Sequence, residues 1–277
     1  MTTHVTRLPQ SGTVPANGQQ LYYEVHGEGP PLVLLMGIGY DSTLWTLAQV
    51  PTLSTKFKVI LVDNRDAGRS SQASGPYRIA DMADDIAGVL DALEIAHTHL
   101  LGLSMGGMIA QEFALRHGHR LDRLVLAGTG AGPARSAVDP IQVWSWVKTN
   151  DATGEAFGGL QFVSLFSTSF LRNHQAVRDT AELLASNPYP ISPEAYRRQA
   201  EAYRQFDALD RLASISAPTL VVVGEQDLLT PPWVVREVAD AIPGARLEII
   251  RGDGSSHLAA IERSDDFNRV VSDFLTG

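Results

Sequence analysis

Residues 98–107 read Thr98-His99-Leu100-Leu101-Gly102-Leu103-Ser104-Met105-Gly106-Gly107. Thr98 to Leu101 has the composition of a short buried strand, and Gly102 to Gly106 matches Gly-x-Ser-x-Gly. From Met105 to His117 the apolar residues recur at three- and four-residue spacing, which predicts a helix. Strand, tight turn and helix with a serine at the turn is the setting of a nucleophile elbow, where a strained backbone lifts the hydroxyl clear of the sheet. A side chain at 102 or 106 would crowd the neighbouring strand and helix. The other role open to Ser104 is a simple helix cap.

Working outward, the same type of run, apolar without alternation, returns at Pro31–Leu35, Val59–Val62, Leu124–Ala127, Pro218–Val223 and Leu247–Ile250. Strands buried on both faces read this way, which predicts a parallel sheet covered by helices. Helical periodicity separates most of them, at Ile79–Leu93, Met105–His117 and Ser264–Leu275. The fold class is therefore α/β, a doubly wound, mostly parallel sheet. Ala16-Asn17-Gly18 followed by the strand formers Gln20–Val25 predicts a hairpin, and residues 1–16, polar with three Pro or Gly, are expected as a loosely held lead-in. Residues 131–210 break the rhythm with little strand signal, several helical stretches and the aromatics Trp144, Trp146, Phe157, Phe162, Phe166 and Phe170. We expect residues 17–130 and 211–277 to form the core and 131–210 to be a helical cap inserted over the carboxyl ends of the strands, where ligands of open α/β sheets bind.

The whole chain of 277 residues is 44% hydrophobic and 19% charged, within the globular range, and long enough to bury a core without disulfide or metal staples. It has no cysteine, which removes disulfides, thiolate metal sites and cysteine nucleophiles. A net charge of −9 argues against nucleic acid as a partner. The first residues lack the apolar segment of a secretory signal, and no apolar run approaches the length of a membrane span, so a soluble, cytoplasmic protein is expected. Eight histidines without a close set of ligand partners give no reason to expect a metal, and no cofactor motif is present.

A serine hydroxyl needs a base, and the base needs a partner that fixes its tautomer. Asp227 follows the run ending at Val223, in Gly224-Glu225-Gln226-Asp227, and His257 follows the run ending at Ile250, in Gly252-Asp253-Gly254-Ser255-Ser256-His257. Asp253 and Glu225 are the other acids near these positions. The order Ser, Asp, His is that of the α/β-hydrolases, and the chain resembles that superfamily outside residues 131–210. It is most similar to capped bacterial serine hydrolases: 3-oxoadipate enol-lactonases, cofactor-free haloperoxidases or perhydrolases, and aclacinomycin-methylesterase-like enzymes. The resemblance is carried by Leu32–Gly39, Asp63-Asn-Arg-Asp-Ala-Gly-Arg-Ser70, Gly102–Gly107, Gly224–Asp227 and Ser256-His257. It implies Ser104 as nucleophile, His257 as general base and then acid, Asp227 rather than Asp253 as the orienting carboxylate, and an oxyanion hole built from the backbone N–H groups of Ile38 and Met105. Two positions depart from the pattern. Met36-Gly37 stands where many relatives have His-Gly, and Asp66 stands where they have Gly; Asp66 is expected as a turn residue paired with Arg65 or Arg69.

These residues lead us to expect a cofactor-independent serine hydrolase that cleaves a carboxylic ester or lactone of a small hydrophobic substrate through an acyl-enzyme. The same triad could serve C–C hydrolysis, perhydrolysis or a lyase step. A ligand-sensing receptor that retains the triad is the rival from another class.

Overall fold

The computed structural model describes residues 10–132 and 139–277. In chain order the elements are β1 (Gln10–Ala16), β2 (Gln19–His26), β3 (Pro31–Leu35), α1 (Gln49–Leu53), β4 (Lys58–Val62), α2 (Ile79–Ala92), β5 (Thr98–Leu103), α3 (Met105–His117) and β6 (Leu121–Ala127). They continue with α4 (Pro140–Asn150), α5 (Glu155–Leu165), α6 (Thr168–Arg172), α7 (His174–Ala185), α8 (Pro193–Arg204), β7 (Thr219–Gly224), α9 (Pro232–Ala241), β8 (Arg246–Ile250), α10 (Ala259–Glu262) and α11 (Ser264–Thr276). One eight-stranded sheet runs in the order β1-β2-β4-β3-β5-β6-β7-β8. β1 and β2 pair antiparallel, as do β2 and β4, and every other pair is parallel.

The central strands are mostly apolar because helices cover both faces: every residue of β5 and β7 is buried, including the polar Thr98, His99 and Thr219. The runs read from the sequence fall on β3 to β8, the first coinciding with β3 and the others differing by up to three residues at an end. The hairpin expected at Asn17-Gly18 joins β1 to β2, with both turn residues at positive φ.

The stretch expected as a lead-in, 1–16, is different over its second half. Residues 10–16 form β1, registered from Gln10↔Val25 to Ala16↔Gln19. β1 is an edge strand whose side chains are mostly exposed, so it carries no apolar signal, and its Pro15 suits an edge. Residues 1–9 lie outside the described residues.

β6 and β7 are neighbours in register, Leu124↔Thr219, yet about ninety residues and the helices α4 to α8 separate them in sequence. Part of this segment, 133–138, lies outside the described residues. Its aromatics largely pack on one another. Trp144 meets Phe157 edge-on, Phe157 meets Tyr196 edge-on, and the rings of Phe166 and Phe170 stack 4.2 Å apart. Trp146, by contrast, is exposed.

Candidate active site

Ser104 joins β5 to α3 with φ +56° and ψ −121°, a conformation that an L-residue holds only where the surroundings enforce it. The enforcement is visible. Ser104 N–H donates to Ala127 O at 2.9 Å, tying the turn to the end of β6, and Gly107 N–H donates back to Ser104 O at 2.9 Å. A Cβ at Gly102 would lie 2.1 Å from Gly106 O, and one at Gly106 would lie 2.3 Å from Leu35 O. Neither atom can move without opening the sheet or the helix, so both positions require glycine.

Asp227 and His257 arrive from loops after β7 and β8. His257 Nδ1 lies 2.8 Å from Asp227 Oδ2, and both side chains are almost fully buried, 2% and 0% exposed. The carboxylate is itself held: Oδ1 accepts from Leu229 N–H and Thr230 N–H, and Oδ2 accepts from the Thr230 hydroxyl at 2.8 Å. A carboxylate at Nδ1 keeps the proton of the neutral ring on that nitrogen and leaves the Nε2 lone pair free. Asp253 is exposed, and Glu225 is engaged with Arg251 and Gly252 N–H, so neither rival acid reaches the imidazole.

Ser104 and His257 line one cavity together with Ile38, Tyr40, Trp144 and Leu165. Its volume is about 20 Å³, room for a single water. Ile38 lies in the loop after β3, where a Cβ at Gly37 would be 3.1 Å from Ser104 Cβ. Met105 opens α3, so its N–H belongs to the first turn, which has no intrahelical partner. Of the five expected residues, Ser104, His257 and Ile38 line this cavity, Asp227 reaches it through His257 Nδ1, and Met105 follows Ser104 at the start of α3. Among the described residues no group of three or more His, Asp or Glu side chains could hold a metal ion, and no helix is long and apolar enough to cross a membrane.

Asp66 sits in a turn, as expected, but not with its expected partners. It has φ +70° and pairs with neither Arg65 nor Arg69. Its carboxylate accepts from Arg198 Nη2 at 2.7 Å and Nε at 2.9 Å, from Tyr77 OH at 2.8 Å and from Ala73 N–H at 2.9 Å. Arg65 pairs with Asp85, and Arg69 with Asp63 and Glu24. Sequence proximity favoured local partners, whereas the fold brings α8 over this loop.

Two other polar residues escaped the sequence reading. Thr230 approaches His257 Nδ1 at 3.2 Å, and its place three residues after Asp227, a spacing typical of side-chain-bonded turns, was the available signal. Glu262 accepts from the hydroxyls of Ser256 and Ser167, joining the histidine loop to the start of α6; nothing local announces that contact.

A doubly wound sheet with a strained serine at the β5–α3 turn and a buried Asp–His pair beside it defines a hydrolase class. Residues 30–263 match the alpha/beta hydrolase fold family, and the chain belongs to it. It is 33% identical, over 97% of its length and 98% of the relative's, to the protein of Caulobacter sp. (strain K31) named "Putative carbamate hydrolase RutD". The enol-lactonase from Burkholderia xenovorans LB400 superposes with a TM-score of 0.85 at 31% identity, covering 96% of this chain and 100% of that one. Est816, described as an N-acyl homoserine lactone degrading enzyme, does so with a TM-score of 0.79 at 31% identity over 95% and 100%. The chain is an α/β hydrolase, as these relatives are.

Proposed function

We propose that the protein is a serine hydrolase that opens a carboxylic ester or lactone of a small hydrophobic substrate through an acyl-enzyme. The observation that carries this reading is the buried Asp227–His257 pair at 2.8 Å beside a serine held at φ +56°. In this mechanism Ser104 Oγ attacks the substrate carbonyl while His257 Nε2 takes its proton. The carbonyl oxygen becomes an oxyanion facing the N–H groups of Ile38 and Met105. The tetrahedral species collapses, His257 protonates the departing alkoxide, and the ester to Ser104 remains. Water, deprotonated by the same nitrogen, then repeats the attack and frees the acid and Ser104. Asp227 stays ionised and stabilises the imidazolium at both stages.

We read α4 to α8 as a cap over this site, supported by Trp144 and Leu165 of α4 and α5 in its lining. A second cavity of about 230 Å³ shares Tyr40 with the first and is lined by Leu44, Leu47, Leu183 and Leu184. Apolar walls of this kind suit an alkyl or aryl arm on the substrate, each buried methylene contributing up to about 0.8 kcal/mol. Carbamate hydrolysis is a second reading, supported by the relative of that name, because it uses the same attack on a carbonyl. The absence of cysteine suits a reducing, cytoplasmic setting.

A panel of esters, lactones and carbamates with wild-type protein and Ser104→Ala tests the reading. Sustained turnover is expected, strongest with medium or bulky acyl groups and absent in the variant. Single-turnover behaviour across the whole panel would point to the receptor, and preference for carbamates to the second reading.

A further inference from the structure

The loop that carries the Ile38 N–H is fixed by side chains distant in sequence. Asn64 Nδ2 donates to Met36 O at 3.0 Å. Gly39 N–H donates to Gln199 Oε1 at 2.9 Å, and Gln199 Nε2 donates to Arg65 O at 3.0 Å, so one fully buried amide on α8 spans two loops. The peptide group bearing the Ile38 N–H lies between these two anchors. Its own carbonyl, Gly37 O, faces Tyr40 N–H at 3.4 Å across a tight turn. In a trans peptide the N–H points opposite to the C=O, so with the carbonyl turned into the loop the Ile38 N–H is turned out of it.

α8 also touches the loop directly. Gly39 sits at φ +81°, and a Cβ there would lie 2.7 Å from Tyr196 Cε2. The residue next to Gln199, Arg198, grips Asp66, so adjacent side chains of one helix hold residues 65 and 66 as well as 39.

We propose that Gln199 is a positioning residue for the oxyanion hole: it fixes the peptide group next to Ile38, so that the donor is correctly aimed only while α8 is seated on the core. The inference rests on the serine-hydrolase reading above. Loss of the amide leaves Gly39 N–H without its acceptor and frees the 38–39 peptide to rotate. A donor displaced by about an ångström weakens oxyanion stabilisation far more than it weakens substrate binding.

The test is steady-state kinetics on an activated ester, together with inhibition by an alkyl trifluoromethyl ketone, whose serine adduct bears an oxyanion, and by the product carboxylic acid, which forms none. Gln199→Leu is expected to lower kcat by about 10- to 100-fold with KM little changed, and to weaken the ketone by a similar factor but not the acid. Gln199→Glu, whose neutral carboxyl keeps an acceptor for Gly39 N–H and a hydroxyl donor for Arg65 O, should recover most of the loss. If Gln199→Leu fails to fold, Gln199→Asn, one methylene too short to reach both partners, should show the same split. A kcat unchanged while thermal stability falls, or a Gln199→Glu variant as impaired as Gln199→Leu, overturns the proposal. A wild-type protein inert to both the ester and the ketone overturns the serine-hydrolase reading instead.

Discussion

Replacing Asp66 by glycine sets two effects of known sign against each other. Asp66 holds a left-handed φ of +70°, which costs an L-residue about 1 kcal/mol that glycine avoids. Against this, the substitution removes four hydrogen bonds, two of them from Arg198, whose side chain is only 8% exposed. Removing one member of a buried pair costs about 3–5 kcal/mol. Arg198 keeps Glu194 at 2.8 Å, so the lower end, about 3 kcal/mol, applies. The net expectation is a loss of about 2 kcal/mol. Urea unfolding should show a lower midpoint at unchanged slope. Combining Asp66→Gly with Arg198→Met should cost less than the two single changes added together. A glycine variant as stable as wild type would refute the view that this pair anchors α8.

Asp227→Asn should lower kcat by about 10⁴-fold, since the amide favours the wrong tautomer of His257, whereas Asp253→Asn should be near wild type; the reverse order would transfer the orienting role to Asp253. His257→Ala should abolish ester turnover, as steady-state kinetics would show, and a variant that keeps the wild-type rate would take the base's role away from His257. Burial pushes the His99 imidazole below the usual 6.5, with Asp122 opposing and Arg123 assisting. Below that value the unfolded chain takes up a proton that the folded chain resists, so His99 should make stability fall as the pH drops, and His99→Leu should flatten that slope in unfolding experiments run at several pH values.

The elements legible in the sequence were those whose burial is written in consecutive residues. β3 to β8 are short apolar runs, and the start of α3 follows from the glycines around Ser104. Asp227 and His257 were legible through their places after β7 and β8, because this sheet puts the ends of those strands beside the β5–α3 turn. Of β1 only the turn at its end was legible, since an edge strand exposed on most of its length needs no apolar pattern. The duties of α8 were not legible. Arg198 and Gln199 meet partners 132 to 160 residues away, and a polar residue on a helix carries no local mark of such a contact. Asp66 illustrates the same limit, its nearest arginines in sequence being engaged elsewhere.

The central claim is that Ser104 is the nucleophile, and covalent labelling with a fluorophosphonate followed by peptide mass spectrometry tests it most directly. The expected result is a single adduct on the peptide containing Ser104, lost in Ser104→Ala together with ester turnover. An adduct on another serine, or a Ser104→Ala variant that turns over at the wild-type rate, would contradict it.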